Sequence, residues 1–435
     1  APALVPSRFK LFSDPVHGFV SVPKGLVLDV IETPEFQRLR RIRQLGLGHL
    51  VFPGAEHTRF GHALGAMALM QQALGVLHEK GTPLSPQEVE AAHLVALLHD
   101  IGHGPFSHTL EHDLIGDDET GTFHHETMSR ALIARLDDRF EGRLGLALAL
   151  FDGTYARPFF HELVASQLDV DRLDYLRRDS FFTGVAEGVV GVERIIKTMR
   201  VYPTEGGPGS RIVIEAKGAY AVESFVLSRR LMYAQVYLHK TVIAADHVLR
   251  SAFARAQARA AAGDPAVEAS APPLWFFLAN RITTSQATLT EVVDAFARLD
   301  DTGLLYSLTR WMESDDPILA DLSARFLQRR LFQTRYLDAE PTDADLVRWH
   351  AQAADWLAGR GAPAAVAETA APLYVTPGVS RLRAYAQAHT SICILERDGR
   401  IRELSEAPDA ISVGAMAGAV SKPYVCFPKD LDLRL

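Results

Sequence analysis

Cysteine is nearly absent: the 435-residue chain has two, Cys393 and Cys426. Two thiols make no disulfide framework and no cysteine-based zinc site, and they fit a reducing compartment, so a cytoplasmic location is expected. No apolar run reaches the length that spans a bilayer, and no membrane partner is expected. The first ten residues, APALVPSRFK, lack the charged-then-apolar order of a signal peptide. Positive charge is in deficit. The net charge of −8 argues against broad nucleic-acid binding, although a local basic pocket remains open because fields are local. Internal repeats and long low-complexity tracts are missing as well.

What is present is ordinary for a globular protein, with 48% hydrophobic and 23% charged residues. The length exceeds what a single core usually supports, so two or more packed subdomains are expected. DPVHGFVSVP alternates apolar and turn residues and reads as a hairpin or loop. Thr33-Pro34 reads as the start of a helix through EFQRLRRIRQL, stopped by Gly46 and Gly48. A helix from near His57 and a strongly apolar one from Pro86 follow, the latter broken by Gly102, Gly104 and Pro105. Helices are expected over 124–150, 158–180 and 288–333, a strand over 211–216, and one long helix over 220–258. GRGAPAAVAETAAP at 359–372 reads as a linker, and the Asp-Gly of SICILERDGRIREL as a tight hairpin.

Histidine is where the sequence departs from the ordinary. Seven of the 17 fall between 93 and 125. His99 and Asp100 end a helix that is otherwise alanine, leucine and valine. Burying an imidazole and a carboxylate there without partners costs several kcal/mol, roughly, and a bound cation is the simplest compensation. Imidazole and carboxylate without thiolate suit iron, zinc, manganese, cobalt or nickel. Further ligands must come from elsewhere, and His62 in RFGH and an aspartate in LDVDRLDYLRRD are the candidates. Asp169, Asp171, Asp174 and Asp179 all lie there. Asp171 and Asp174 share one helical face, so spacing alone does not choose between them.

VFPGAEHTRFGHALG, HLVALLHDIGHGPFSH and LDVDRLDYLRRD, in that order, resemble the HD-domain deoxynucleoside triphosphate triphosphohydrolases, the group that includes the human SAM- and HD-domain protein. The likeness extends to DPVHG, TPEFQRLRRIRQLG and RRLMYAQVYLHKT, covering about residues 8–335. It implies a mainly α fold: an HD helical core with small β elements and a smaller α+β C-terminal region. The chain then divides into an entry segment with first helix (1–50), an HD catalytic core (51–260), a helical extension (261–358) and the C-terminal region (359–435).

The resemblance also implies roles. His62, His99, Asp100 and Asp171 would hold one divalent transition metal, with Asp174 outside the ligand set. Such an ion would polarise a phosphate oxygen and activate a water. His125 would be the proton donor, with His103 and Glu111 beside it. Arg59, His108, Arg172 and Arg229 match phosphate-contacting positions, with Lys240 in reserve; the family commonly has Lys where this chain has Arg172, and the two differ in geometry. Tyr175 would stack on a deoxyribose and exclude a 2′-hydroxyl. Asp179, helped by Gln44, would bind the 3′-hydroxyl, and Tyr237 belongs to the same substrate set. A magnesium ion on the substrate phosphates fits this picture. Glu32, Gln37 and Arg40 occupy positions that bind an activating nucleotide in vertebrate relatives, with Glu in place of Asp. Arg194 and Lys217 would contact its phosphates. For Arg40, Arg41 and Arg43 the other reading is an exposed helix face. A homo-oligomer, dimer or tetramer, is implied by the likeness alone. Substrates of other HD enzymes (nucleoside monophosphates, cyclic nucleotides, guanosine polyphosphates) and a non-enzymatic nucleotide sensor are the rival readings.

Overall fold

The computed structural model describes residues 8–203, 210–382, 391–406 and 420–435. The chain is mainly helical. It opens with an antiparallel hairpin, β1 (Phe9–Asp14) on β2 (Gly18–Pro23), registered from Phe9↔Pro23 to Asp14↔Gly18. DPVHG forms the turn.

Four helices frame the centre: α1 (Arg59–Glu79), α2 (Pro86–Leu98), α3 (His125–Arg139) and α4 (Val170–Thr183). α1 packs on both α2 and α4. α2 starts where Ser85 and Glu88 form a reciprocal cap with Pro86 in the first turn, which satisfies otherwise orphaned amides. Asp169 caps α4 by accepting from the Arg172 amide. α5 (Ala219–Met232) and α6 (Lys240–Ala260) follow, then α7 (Asp301–Trp311), α8 (Pro317–Leu327), α9 (Asp343–Gly359) and α10 (Ala364–Tyr374). The main hydrophobic core draws on residues from Val20 to Cys426, and a second, smaller one gathers Trp349, Ala353, Val425 and Phe427 toward the C-terminus.

Two small sheets bring distant segments together. One has the order β3 (Met199–Pro203), β4 (Ser210–Glu215), β7 (Cys393–Leu395) and β8 (Ile401–Glu403). β4 and β7 are parallel and the other pairs antiparallel. The other is antiparallel: β5 (Gln333–Tyr336), β9 (Val420–Phe427) and β6 (Thr376–Leu382). The Asp398-Gly399 turn closes β7 on β8, with Gly399 at φ +86°.

Three expectations need correction. The helix expected from Pro34 to Leu45 is instead one helical turn, Pro34–Gln37, and a 3₁₀ turn, Arg38–Arg41. Arg38 is fully buried, and its guanidinium donates to the carbonyls of Ile101, His103 and Leu299. That tertiary anchor overrides the local helical pattern, and Ile42 is already extended. The long helix expected over 220–258 is broken after a π turn at Tyr233–Tyr237, and α6 restarts beyond His239. The linker at 359–372 is instead the end of α9, a turn at Gly361 and most of α10, whose Ala367, Ala370 and Ala371 are buried. Small residues there mark close helix packing, not a loop. α1 is 21 residues long and apolar enough to cross a membrane by length and composition, but most of it is buried as a core helix of the protein.

Candidate metal centre and active site

α2 delivers His99 at its C-terminus, and the chain turns sharply through Asp100, Ile101 and Gly102. No side chain fits at Gly102: a Cβ would stand 2.2 Å from the Ser129 amide nitrogen and 2.3 Å from the His125 carbonyl oxygen. The close approach sets the start of α3, and therefore His125, beside Asp100. α1 contributes His62 from one side and α4 contributes Asp171 from the other.

These four residues offer ligand atoms that lie within 4.8 Å of one another. His62 Nε2 is 3.1 Å from Asp171 Oδ1 and 3.6 Å from Asp100 Oδ2. His99 Nε2 is 3.5 Å from Asp171 Oδ1 and 3.6 Å from Asp100 Oδ1. The opposite ring nitrogens are engaged: His62 Nδ1 with Asp174 at 2.7 Å and His99 Nδ1 with the Ala96 carbonyl at 2.8 Å. Both Nε2 atoms are buried and lack a hydrogen-bond partner. An orphaned buried nitrogen is costly, and two converging on two carboxylates fit a divalent cation. The electrostatics agree. Burial alone would lower the His62 pKa, yet the facing carboxylates of Asp171 and Asp174 push it up to about 10. Asp171 falls well below the usual carboxylate range, because His62 and His99 outweigh the effect of burial. The cluster demands positive charge.

A second layer holds the first. Asp174 accepts from His62, from His17 Nε2 at 2.6 Å and from Arg178 Nε at 2.9 Å. Arg178 also donates to Asp14 at 2.8 Å, so the β1–β2 turn is bolted to the cluster. Gly61 and Gly65 of α1 leave room for this. A Cβ at Gly65 would stand 2.0 Å from Asp174 Oδ1, and one at Gly61 3.3 Å from Arg178 Nη1.

Beside the cluster lies a cavity of about 600 Å³. Asp100, Asp171, His103, His108 and His125 line it near the cluster, together with Arg59, Arg172 and Arg229. Gln44, Tyr175, Asp179 and Tyr237 line it elsewhere. Glu111 stands behind: its Oε1 accepts from the His125 amide at 2.6 Å and lies 3.2 Å from His125 Nδ1, while Oε2 lies 2.7 Å from His108 Nδ1. Burial would lower the His125 pKa, but Glu111 and Asp100 raise it. His103 moves the other way, well below the ordinary value, through burial and the nearby Arg59 charge. Arg59 Nη1 donates to Asp100 at 2.5 Å and its Nε to Ser107 at 3.0 Å. Arg172 pairs with Asp169 at 3.2 Å. The Asp179 carboxylate is held on both oxygens, by His57 Nε2 at 2.7 Å and the Tyr237 hydroxyl at 2.8 Å.

The remaining candidates lie apart from this cavity. Lys10 approaches Glu32 at 3.5 Å. Arg40 is exposed, donates to Gln37 at 2.9 Å and stacks over Phe60. Arg194 donates to the Lys217 carbonyl at 2.6 Å, and the Lys217 ammonium pairs with Glu215 at 2.7 Å. Sequence reasoning missed His17, Asp14, His57, Arg178 and Asp301. Asp301 fixes the loop after the HD pair by accepting from the Phe106 and Arg43 amides, next to Phe106 and Ser107 at φ 52° and 60°. DPVHG and GAEHTRF carried signals for the first three of these residues; nothing local marked Asp301. Asp246 also lines the cavity, its pKa pushed up to about 7 by burial.

Comparison with known proteins agrees with this geometry. Residues 59–178 match the HD domain and residues 190–267 the HD associated region. The chain is 37% identical over 340 residues to the uncharacterized protein YwfO of Bacillus subtilis, covering 78% of this chain and 74% of that one. A crystal structure of a phosphohydrolase from Bacteroides thetaiotaomicron superposes with a TM-score of 0.87 at 39% identity, over 97% of this chain and 100% of the other. The Dictyostelium discoideum deoxynucleoside triphosphate triphosphohydrolase SAMHD1 homolog is 30% identical over 263 residues, which span 57% of this chain and 49% of that protein. The chain belongs to the HD-domain family, with its HD associated region, and is an HD-domain phosphohydrolase.

Proposed function

We propose that the protein hydrolyses deoxynucleoside triphosphates to a deoxynucleoside and triphosphate. The observation that carries this reading is a single cavity joining the His/Asp cluster, three arginines and the Tyr175–Asp179–Tyr237 corner. Similarity to the Dictyostelium enzyme supports it.

His62, His99, Asp100 and Asp171 would hold a divalent ion of the Mn, Fe, Zn, Co or Ni type. When bound, such an ion supplies Lewis acidity and an activated water. Arg59, Arg172, Arg229 and His108 bind the triphosphate, with magnesium on its phosphates, and their charge offsets what builds up as the bond breaks. Water oxygen bonds to the α-phosphorus, one of its protons passing to solvent, and the bond from phosphorus to the 5′-oxygen breaks. His125, raised in pKa and oriented by Glu111, gives its proton to that leaving oxygen, with His103 packed against it. Tyr175 closes the space a 2′-hydroxyl would need. Asp179, fixed by His57 and Tyr237 and flanked by Gln44, accepts from the 3′-hydroxyl. An activating nucleotide between copies of the chain, at Glu32, Gln37, Arg40, Arg194 and Lys217, belongs to the same reading.

The test is incubation with each of the four dNTPs, singly and mixed, with Mn²⁺ or Mg²⁺, and separation of products by ion exchange. Deoxynucleoside with intact triphosphate is expected, and activity restricted to mixtures would mark the activating site. Orthophosphate or pyrophosphate would place the cut at another bond. No turnover in metal-loaded protein would reject the substrate and turn attention to monophosphates, cyclic nucleotides and guanosine polyphosphates.

A further inference from the structure

We propose that His103, His108 and His125 form a second site for a divalent transition-metal ion, bound through their Nε2 atoms, and that its occupation inhibits hydrolysis. The inhibitory part rests on the reading of His125 as proton donor.

Each ring already has an oxygen on its Nδ1 side. His103 Nδ1 lies 3.2 Å from the Asp100 carbonyl, His108 Nδ1 2.7 Å from Glu111 Oε2, and His125 Nδ1 3.2 Å from Glu111 Oε1. An oxygen acceptor keeps the proton on Nδ1 and leaves the Nε2 lone pair free to ligate. One carboxylate thus orients two imidazoles, the arrangement that raises ligand basicity in histidine metal sites.

The spacing fits an ion. His103 Nε2 and His108 Nε2 are 3.4 Å apart. A tetrahedral ion with bonds near 2.1 Å holds its ligand nitrogens about 3.4 Å apart, so this pair already stands at ligating distance. Two neutral lone pairs facing each other there repel unless a proton or a cation lies between them. His125 completes the group: its ring centroid is 3.8 Å from that of His103 and 5.1 Å from that of His108, and the three residues offer ligand atoms within 4.8 Å of one another. The His108 side chain is 65% exposed, so it has room to pivot about its Glu111 contact and close the remaining gap. His103 is buried and supplies the fixed corner.

The donor set selects the ion. Three imidazoles without a carboxylate in the set favour Zn²⁺, Co²⁺, Ni²⁺ or Cu²⁺ over Mg²⁺ and Mn²⁺. The His/Asp cluster, with two carboxylates, accepts the wider range. An ion on His125 Nε2 occupies the atom that delivers the proton, and on His108 it competes with the substrate phosphates. A metal that supports turnover at one equivalent therefore suppresses it at two.

The test is a Co²⁺ titration of the metal-free 435-residue chain. Visible absorption and metal content after gel filtration report binding, and dNTP hydrolysis is measured on the same samples. Two equivalents are expected, one of them with the intense bands of a four-coordinate site, and hydrolysis falling at least tenfold from one to two equivalents. His108→Ala and His125→Ala should each retain one equivalent and lose the intense bands, whereas His62→Ala should retain one and keep them. A single equivalent in the parent, or a second equivalent that survives both His108→Ala and His125→Ala, overturns the site. Two equivalents with undiminished hydrolysis overturn the inhibition. Two equivalents with no hydrolysis at any loading reject the dNTP reading, and the inhibition with it, while establishing the site.

Discussion

Asp174 Oδ2 lies 2.7 Å from His62 Nδ1, on the opposite edge of the ring from the nitrogen that faces Asp100 and Asp171. The carboxylate fixes the tautomer: the proton stays on Nδ1 and the lone pair of Nε2 points into the cluster. Asp174→Asn offers an amide that can sit either way and no longer imposes that choice. Metal affinity should fall by roughly 10–100-fold, read by competition with a chelator of known affinity. Unchanged affinity in a folded variant would remove Asp174 from this role.

Gly65→Ala tests the same contact from the other side, since its Cβ would overlap Asp174 and Arg178. Overpacking of this kind costs about 1–3 kcal/mol, and metal affinity should drop with it. Gly75, in the same helix, meets nothing within 4 Å. Gly75→Ala should therefore stabilise by up to about 1 kcal/mol through helix propensity and leave the metal alone. Urea unfolding separates the pair.

The pH dependence follows from His125. Its folded pKa lies above the ordinary 6.5 because the Glu111 hydrogen bond and the Asp100 charge outweigh burial. A proton donor works while protonated, so kcat/KM should hold below that pKa and decline as pH rises through it. Glu111→Gln removes the main support and should move the alkaline limb to lower pH. A limb that stays in place would show that another group sets it.

Tyr237→Phe removes one of the two hydrogen bonds that hold Asp179. Hydrogen bonds to a charged group contribute about 1.5–3 kcal/mol, so kcat/KM for dNTPs should fall roughly 10–100-fold. Metal content should not change. Loss of the metal instead would show that this corner and the cluster are one structural unit.

The HD pair was legible because an imidazole and a carboxylate at the end of an all-apolar helix conflict with burial unless something binds them. Asp171 and Asp174 could not be separated by spacing, because both lie on one face. They turn out to serve opposite edges of the same imidazole. Arg38 was unreadable for a different reason. Its partners lie 63 to 261 residues away, and only the assembled core makes a buried arginine a better anchor than a helical one. Asp301, 195 residues from the Phe106 amide it holds, was hidden in the same way. The alanine run of α10 looked like a linker because composition alone does not distinguish small residues in a loop from small residues in a tight helical contact.

The placement of Asp171, Tyr175 and Asp179 on one uninterrupted helix has a consequence for inheritance. Their separation is set by helical rise, about 12 Å over eight residues, and their common face by 3.6 residues per turn. One inserted or deleted residue between them would swing the far end by about 100° and carry Asp179 out of the cavity. Lineages that retain the activity can lengthen or trim the loops around this helix, but they should pass the stretch from Asp171 to Asp179 on at constant length.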